Sequence, residues 1–420
     1  MNTYAIVILA ALLTDYILNL TAGALNLKSL KQGLPGEFEG IYDKKEYQRS
    51  QSYTRERTRF GFLASTISLG LILAFWFSGG FNYLDQLVRA WDLGTIATGL
   101  FYIGILMLAQ SLLSLPFSLY STFVMEEKYG FNKTTVSTFT ADLAKGLLLS
   151  ALLGLPLLAG IIWFFEFAGM YAWIYAWGAA ALFILAIQFI APTWIMPLFN
   201  KFSPLEDGDL KEAIMNYAQS VNFPLQGLYV MDGSKRSTKS NAFFTGFGKN
   251  KRIALFDTLT EKHPVPELVA VLAHEIGHYK KKHIQKSMMI SVIHMGVMFA
   301  LLQFFLTSQG LYEAFFMEEA SVYAGLIFFG MLYAPVEMIL SIFMQLFSRK
   351  NEYEADRFAA ETTGEPEQMV KALKKLSVDN LSNLTPHPVF VFLNYSHPPV
   401  MDRIAALRKL RSEDLFGSEK

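Results

Sequence analysis

The sequence predicts an all-α polytopic membrane protein of seven transmembrane helices, joined to a charged α+β portion that is split along the chain. Three observations carry this reading. Apolar residues make up 52% of the 420 residues, 36 of them Phe, and charged residues only 17%, where a soluble domain carries about 25%. The charge is also uneven: 22 of the 86 residues in 201–286 and 22 of the 73 in 348–420 are charged, against 28 in the other 261. Finally, seven stretches reach the roughly 20 mostly apolar residues that a helix needs to cross a bilayer.

Those stretches are 3–24, 61–82, 97–119, 146–165, 174–196, 287–307 and 322–346. The first has neither a basic leading region nor a small-residue cleavage site, so it is expected to be a retained span rather than a removed signal. Asp15 and Glu337 lie within spans. An ionisable group at membrane depth is costly, which turns both toward the bundle interior. Pro335 and Glu337 fall within one turn, as either a chamber-lining feature or a proline kink with a snorkelling carboxylate.

Loop charge orients the spans. The first loop holds Lys28, Lys31, Lys44, Lys45, Arg49, Arg55, Arg57 and Arg59, whereas Arg89 is the single Lys or Arg of the second and the sixth has none. Basic loops stay in the cytosol, so the N-terminus is expected outside, with 201–286 and 348–420 in the cytosol. The chain divides into spans one to five (1–200), a first charged portion (201–286), spans six and seven (287–347) and a closing portion (348–420). Zero net charge and the lack of a basic tail argue against a nucleic-acid partner. With no Cys in the chain, any metal must rest on His and carboxylates.

At the start of 201–286 a turn and a short amphipathic helix are expected over 199–223, with Asp207-Gly208-Asp209 as capping and turn residues, then a small sheet from the short runs LQGLYVMDGS, NAFFTGF and KRIALFDTL. The run VPELVAVLAHEIGHYKKKHIQK has helical periodicity. It contains His274-Glu275-Ile276-Gly277-His278. Positions i and i+4 share a helix face, so both imidazoles can reach one zinc ion, with Glu275 beside them to accept a proton from the attacking water. A third ligand is required. His283, five residues past His278, points off the ligand face. In NEYEADRFAAE, Glu352, Ala355, Asp356 and Ala359 form one stripe while Glu354 points elsewhere. Glu352 is assigned as the ligand and Asp356 as the carboxylate that orients a liganding imidazole; spacing alone does not choose between the two. Residues 240–246 read as an edge strand that pairs with a peptide, Asn241 holding its backbone, or as an ordinary strand and turn. His397 and Arg403 near the C-terminus could stabilise a tetrahedral oxyanion, or form a helix start and a surface ion pair.

Taken together, the chain resembles the type I CAAX prenyl endopeptidases, the membrane-integral zinc metalloproteases also called a-factor-converting enzymes. The matching stretches are GFNKTT (130–135), APTWIMPLFNKFSPLEDG (191–208), DGSKRSTKSNAFFTGFGKNKRIALFDTL (232–259), HEIGHYKKKH (274–283), SRKNEYEADRFA (348–359) and YSHPPVMDRI (395–404). The resemblance implies a hollow barrel of seven helices capped by a cytosolic zincin-like (gluzincin) α+β domain. It implies one zinc per chain on His274, His278 and Glu352, Glu275 as general base and Asp356 behind the ligands. It further implies peptide contacts at Asn241, Ala242 and Phe243, and carbonyl support from His397 and Arg403. The implied substrate is a peptide or protein, prenylated or membrane-associated, met at the lipid bilayer with no oligomer required. Lys239 and Phe243 depart from the His and Tyr common in eukaryotic members and point to a prokaryotic relative in the cytoplasmic membrane, where membrane-protein quality control is the alternative role; a eukaryotic member would sit in the ER. A transporter or channel also suits seven spans, but leaves the His-Glu-His-Glu set without a task.

Overall fold

The computed structural model describes residues 1–30, 33–245 and 251–417. In chain order the helices are α1 (Thr3–Lys28), α2 (Lys44–Phe77), α3 (Gly80–Arg89), α4 (Thr95–Tyr120), α5 (Val136–Leu149), α6 (Leu155–Phe167), α7 (Ala172–Ile190) and α8 (Met196–Phe199). Strand β1 (Phe202–Pro204), α9 (Asp209–Ser220), β2 (Leu225–Met231), β3 (Ala242–Thr245), β4 (Lys251–Phe256), α10 (Asp257–Lys262) and α11 (Val265–Lys280) follow. The chain closes with α12 (His283–Phe305), α13 (Gln309–Glu313), α14 (Val322–Thr363), α15 (Pro366–Asp379), α16 (Pro388–Asn394) and α17 (Val400–Gly417).

Seven helical runs are long and apolar enough to cross a membrane: α1, α2, Thr95–Glu126, Val136–Phe167, Gly169–Phe199, α12 and α14. Three of them widen into π turns near prolines, the first at Ser121–Glu126, five residues after Pro116. Residues Ser150–Gly154 precede Pro156, and Ala191–Ile195 contains Pro192 and precedes Pro197. Proline has no N–H to donate, and the freed carbonyls accept wider bonds. The seventh run does not stop at residue 346. It continues as one helix for 42 residues, about 63 Å, so the last span and the Glu352 helix are a single rod.

Burial along α1, α2 and α14 leaves long stretches uncovered, whereas Trp177 of α7 packs against Gly296 midway along α12. On α1 the buried residues are Ala5 and Ile8, then Ala22, Gly23 and Asn26. On α2 they are Tyr47, Ser50, Gln51 and Tyr53, then Trp76; on α14 they pause between Tyr333 and Asn351. The unburied stretches 54–75 and 334–350 correspond to roughly 33 and 25 Å of helix. A solid bundle buries a stripe along the whole of each helix. α1, α2 and α14 instead meet their neighbours at two rims, and the spans enclose a hollow barrel. At one rim Phe315 stacks on Phe328 at 3.9 Å between ring centroids, and the buried Trp76 indole donates to the Ala314 carbonyl at 2.8 Å.

The other rim carries the α+β portion. Its sheet has the order β1-β2-β4-β3, with β2 and β4 parallel and both outer pairs antiparallel. Strand β1 falls where a turn is expected, since three residues give too short a pattern. Leu228, Ile253 and Leu255 from the sheet pack with Leu268, Leu272 and Ile276 of α11 and Ala359 of α14. The first loop is more than a basic tether: Phe38, Tyr42 and Tyr47 join Ala270, Ala360, Met369, Ile404 and Leu407 in a second core. Glu37 adds an ion pair to Lys374 at 3.0 Å. The third loop ties on as well, through Arg236 to Asp142 at 2.8 Å and an isolated bridge between Asn132 and Ser237. Loops one and three, and the chain after spans five and seven, therefore gather at one end, as seven crossings require.

Candidate metal centre and active site

Two helices build the centre. α11 supplies His274, Glu275 and His278, and α14 supplies Glu352 and Asp356. They approach closely because Gly277 faces Ala355: a Cβ on Gly277 would lie 3.1 Å from both the Cα and the carbonyl oxygen of Ala355. Backbone atoms cannot swing aside. Gly277→Ala therefore gains about 1 kcal/mol of helix propensity but is expected to lose about 1–3 kcal/mol to overpacking, with weaker metal binding. Thermal unfolding and chelator competition on the variant check this.

At the contact, Nε2 of His278 lies 3.1 Å from Nε2 of His274 and 3.2 Å from Oε1 of Glu352. His274 Nε2 lies 3.5 Å from Glu352 Oε2. These ligand atoms all fall within 4.8 Å of one another. Two nitrogens bound tetrahedrally to one zinc sit about 3.3 Å apart, so the spacing suits that ion. The donor set agrees, because two imidazole Nε2 atoms and a buried carboxylate converge on one point. The cluster fits a single zinc.

Asp356 stands on the other side of His274, accepting from Nδ1 at 2.8 Å, and is 2% exposed. Geometry thus separates the two carboxylates that spacing left open: Glu352 joins the cluster, and Asp356 holds the ring from behind. Burial works against the Glu352 anion, but hydrogen bonds from His274 and His278 outweigh it and hold its pKa well below the carboxylate range. Burial also opposes the His274 cation, yet Asp356 and Glu352 win and push its pKa up to about 9 in the metal-free site. Zinc must displace that proton from Nε2. The raised pKa stabilises the metal-free fold below the free-imidazole pKa of about 6.5, and that contribution fades as pH rises toward 9. Zinc affinity is expected to climb in the same window, by up to about tenfold per pH unit. Calorimetry in buffers of different ionisation enthalpy reads the released proton.

Arg403 stands at the centre as well. It is 9% exposed, and its Nε and Nη2 donate to Asp356 Oδ2 and Oδ1 at 2.7 and 2.6 Å. Its Nη1 lies 3.4 Å from Glu352 Oε2. Two of its nitrogens are thus taken up by the carboxylate behind His274, while Nη1 stands at the cluster itself. It is not the surface ion pair of the alternative reading. His397 is exposed at the mouth, with Nε2 3.4 Å from Glu352 Oε1. Glu275 is half-buried beside the cluster.

β3 is the terminal strand of the sheet and touches α11. Asn241 is exposed just before it, its Oδ1 accepting from the Ala242 amide at 2.9 Å. The side chain of Phe243 lies outside the described residues. Lys239, the departure noted in the sequence, turns away: Nζ donates to Glu126 Oε2 at 2.8 Å and Tyr53 Oη at 2.9 Å. In the barrel wall, His294 Nε2 meets the Tyr333 hydroxyl at 3.0 Å and Glu337 at 3.5 Å, the last half-exposed.

Family models match two stretches of the sequence: the five-membrane-helix N-terminal part of CAAX prenyl proteases over residues 24–201, and peptidase family M48 over 204–411. The CAAX prenyl protease 1 homolog of Oryza sativa subsp. japonica is 39% identical over 90% of this chain and 91% of its own. The chain belongs to the CAAX prenyl protease 1 family of M48 peptidases. CAAX prenyl protease 1 of Saccharomyces cerevisiae is 36% identical, covering 89% and 88% of the two chains. The crystal structure of S. mikatae Ste24p superposes with a TM-score of 0.92 at 33% identity, covering 97% and 99%. As an M48 peptidase with this metal cluster the protein is a multi-pass zinc metalloprotease, which displaces the transporter reading. These relatives are eukaryotic, so the expectation of a prokaryotic member draws no support from them.

Proposed function

We propose that this CAAX-family protease trims the C-terminal peptide of prenylated, membrane-associated proteins, taking it as an added strand on β3. The observation that supports it most is the His274–His278–Glu352 cluster beside a terminal strand, at the end of a hollow barrel. Held by these three residues, zinc supplies Lewis-acid polarisation of the scissile carbonyl and acidifies water. Glu275 takes the proton of the attacking water and returns one to the leaving amine. Asp356 and Arg403 fix the His274 ring, leaving the exposed His397 to donate to the carbonyl oxygen. Asn241, Ala242 and Phe243 hold the peptide backbone.

Loop charge orients the chain with its N-terminus outside and the zinc end in the cytosol, in the ER membrane of a eukaryote or the cytoplasmic membrane of a prokaryote. A second reading, membrane-protein quality control without prenyl preference, draws on Lys239, which is tied to Glu126 rather than left at the strand edge. Purified protein, with and without chelator, is incubated with matched prenylated and unprenylated CAAX peptides and a panel of unmodified membrane proteins. Mass mapping should show chelator-sensitive cleavage of the prenylated peptide in excess; equal cleavage of the panel overturns the CAAX reading.

A further inference from the structure

The two histidines of the cluster are held from behind by different means. His274 has Asp356. His278 has a neighbour that helical periodicity hid. Its Nδ1 lies 3.0 Å from Nδ1 of His283, whose Nε2 lies 3.2 Å from Oε2 of Glu354. His283 is 3% exposed. α11 ends at Lys280, and Lys282 adopts φ +60, a left-handed conformation unfavourable for a side chain with a Cβ. That reversal swings His283, the first residue of α12, back against the ring that a continuous helix would have carried it away from.

The proton inventory of the chain follows from these distances. If Nε2 of His278 gives its lone pair to the metal, Nδ1 must carry the ring's single proton. It then donates to the lone pair on Nδ1 of His283, which puts the His283 proton on Nε2, facing the Glu354 carboxylate. Every polar atom between the ligand and the carboxylate has one role, and reversing any bond sets two protons or two lone pairs face to face. We propose that His283, backed by Glu354, is a positioning residue that fixes the tautomer and ring plane of His278 for zinc. This inference rests on the zinc reading above. Its basis is the conserved logic of ligand imidazoles elsewhere, where the rear nitrogen is hydrogen-bonded and loss of that partner weakens the metal. α14 therefore serves the centre three times: Glu352 within it, Asp356 behind one imidazole and Glu354 behind the other.

The test separates hydrogen bonding from packing. In His283→Leu the volume stays and the acceptor is lost; in His283→Asn the amide oxygen takes the place of Nδ1. Zinc affinity, measured by competition with a chromogenic chelator, is expected to fall about 10- to 100-fold in His283→Leu. His283→Asn should recover most of that loss. The visible absorption of the cobalt-substituted protein should shift in the Leu variant and return in the Asn variant. Should His283→Leu fail to fold, Glu354→Leu gives the independent reading, with the same direction and a smaller loss. Wild-type affinity and spectrum in both the Leu and Glu354 variants overturn the proposal, as does an Asn variant no better than Leu. Failure of the unsubstituted protein to bind zinc would overturn the zinc reading instead, so the two failures are distinct.

Discussion

Replacing Glu275 with Gln is expected to lower peptide hydrolysis by roughly a hundred- to ten-thousand-fold while zinc content and thermal stability stay unchanged. Gln has the same shape and occupies the same half-buried place beside the cluster, but it cannot accept a proton. The loss should fall on kcat, because no ligand to the metal has been touched. Single-turnover rates on one reporter peptide, with metal content measured on the same sample, decide the matter. Hydrolysis at the wild-type rate in a zinc-loaded Glu275→Gln protein would remove Glu275 from the reaction and require another base.

The second large effect concerns stability. Arg403→Met leaves Asp356 buried without its bidentate partner, and Glu352 without the cation 3.4 Å away. Stripping one member from a buried ionic set costs about 3–5 kcal/mol, because the remaining charge has no water to turn to. The metal-free protein should show the full penalty. Zinc offsets part of it by neutralising Glu352, so the gap between variant and parent should narrow on loading. Unfolding in detergent with and without zinc measures both. Arg403→Lys should recover little, since a point charge does not reproduce the planar fork. A metal-free Arg403→Met protein as stable as the parent would show that Asp356 finds water or another cation.

Local patterns made much of this molecule legible. Twenty-odd apolar residues in a row announce a span whatever surrounds them, and His274 with His278 announces a shared face because four residues make about one turn. What stayed hidden depended on breaks in periodicity or on tertiary contact. His283 stays out of the ligand set as its spacing implied, but its contact with the rear nitrogen of His278 was hidden because the run through residue 286 reads as one helix, and a single left-handed lysine ends it. The reverse happened in the seventh span, where a rise in charge near residue 348 looked like a boundary and the helix runs on to Thr363. Glu352 and Asp356 are equivalent by spacing; only the position of the His274 ring between them tells them apart. Arg403 is a surface residue by type, and its burial is a property of the partners that surround it.

The continuity of α14 ties the metal cluster to the bilayer. Glu352 stands on the same rod as the seventh span, with no hinge between residue 322 and residue 363 other than Pro335. A span that meets a thinner or thicker hydrocarbon layer responds by changing its tilt. On a rod about 63 Å long, tilting the membrane half displaces the outer half, and α11 with His274 and His278 is packed on that outer half through Gly277 against Ala355 and through Ala359. Both halves of the metal cluster therefore travel with the seventh span, and turnover in bilayers of increasing acyl-chain length is expected to stay level as long as that helix pair moves as one body.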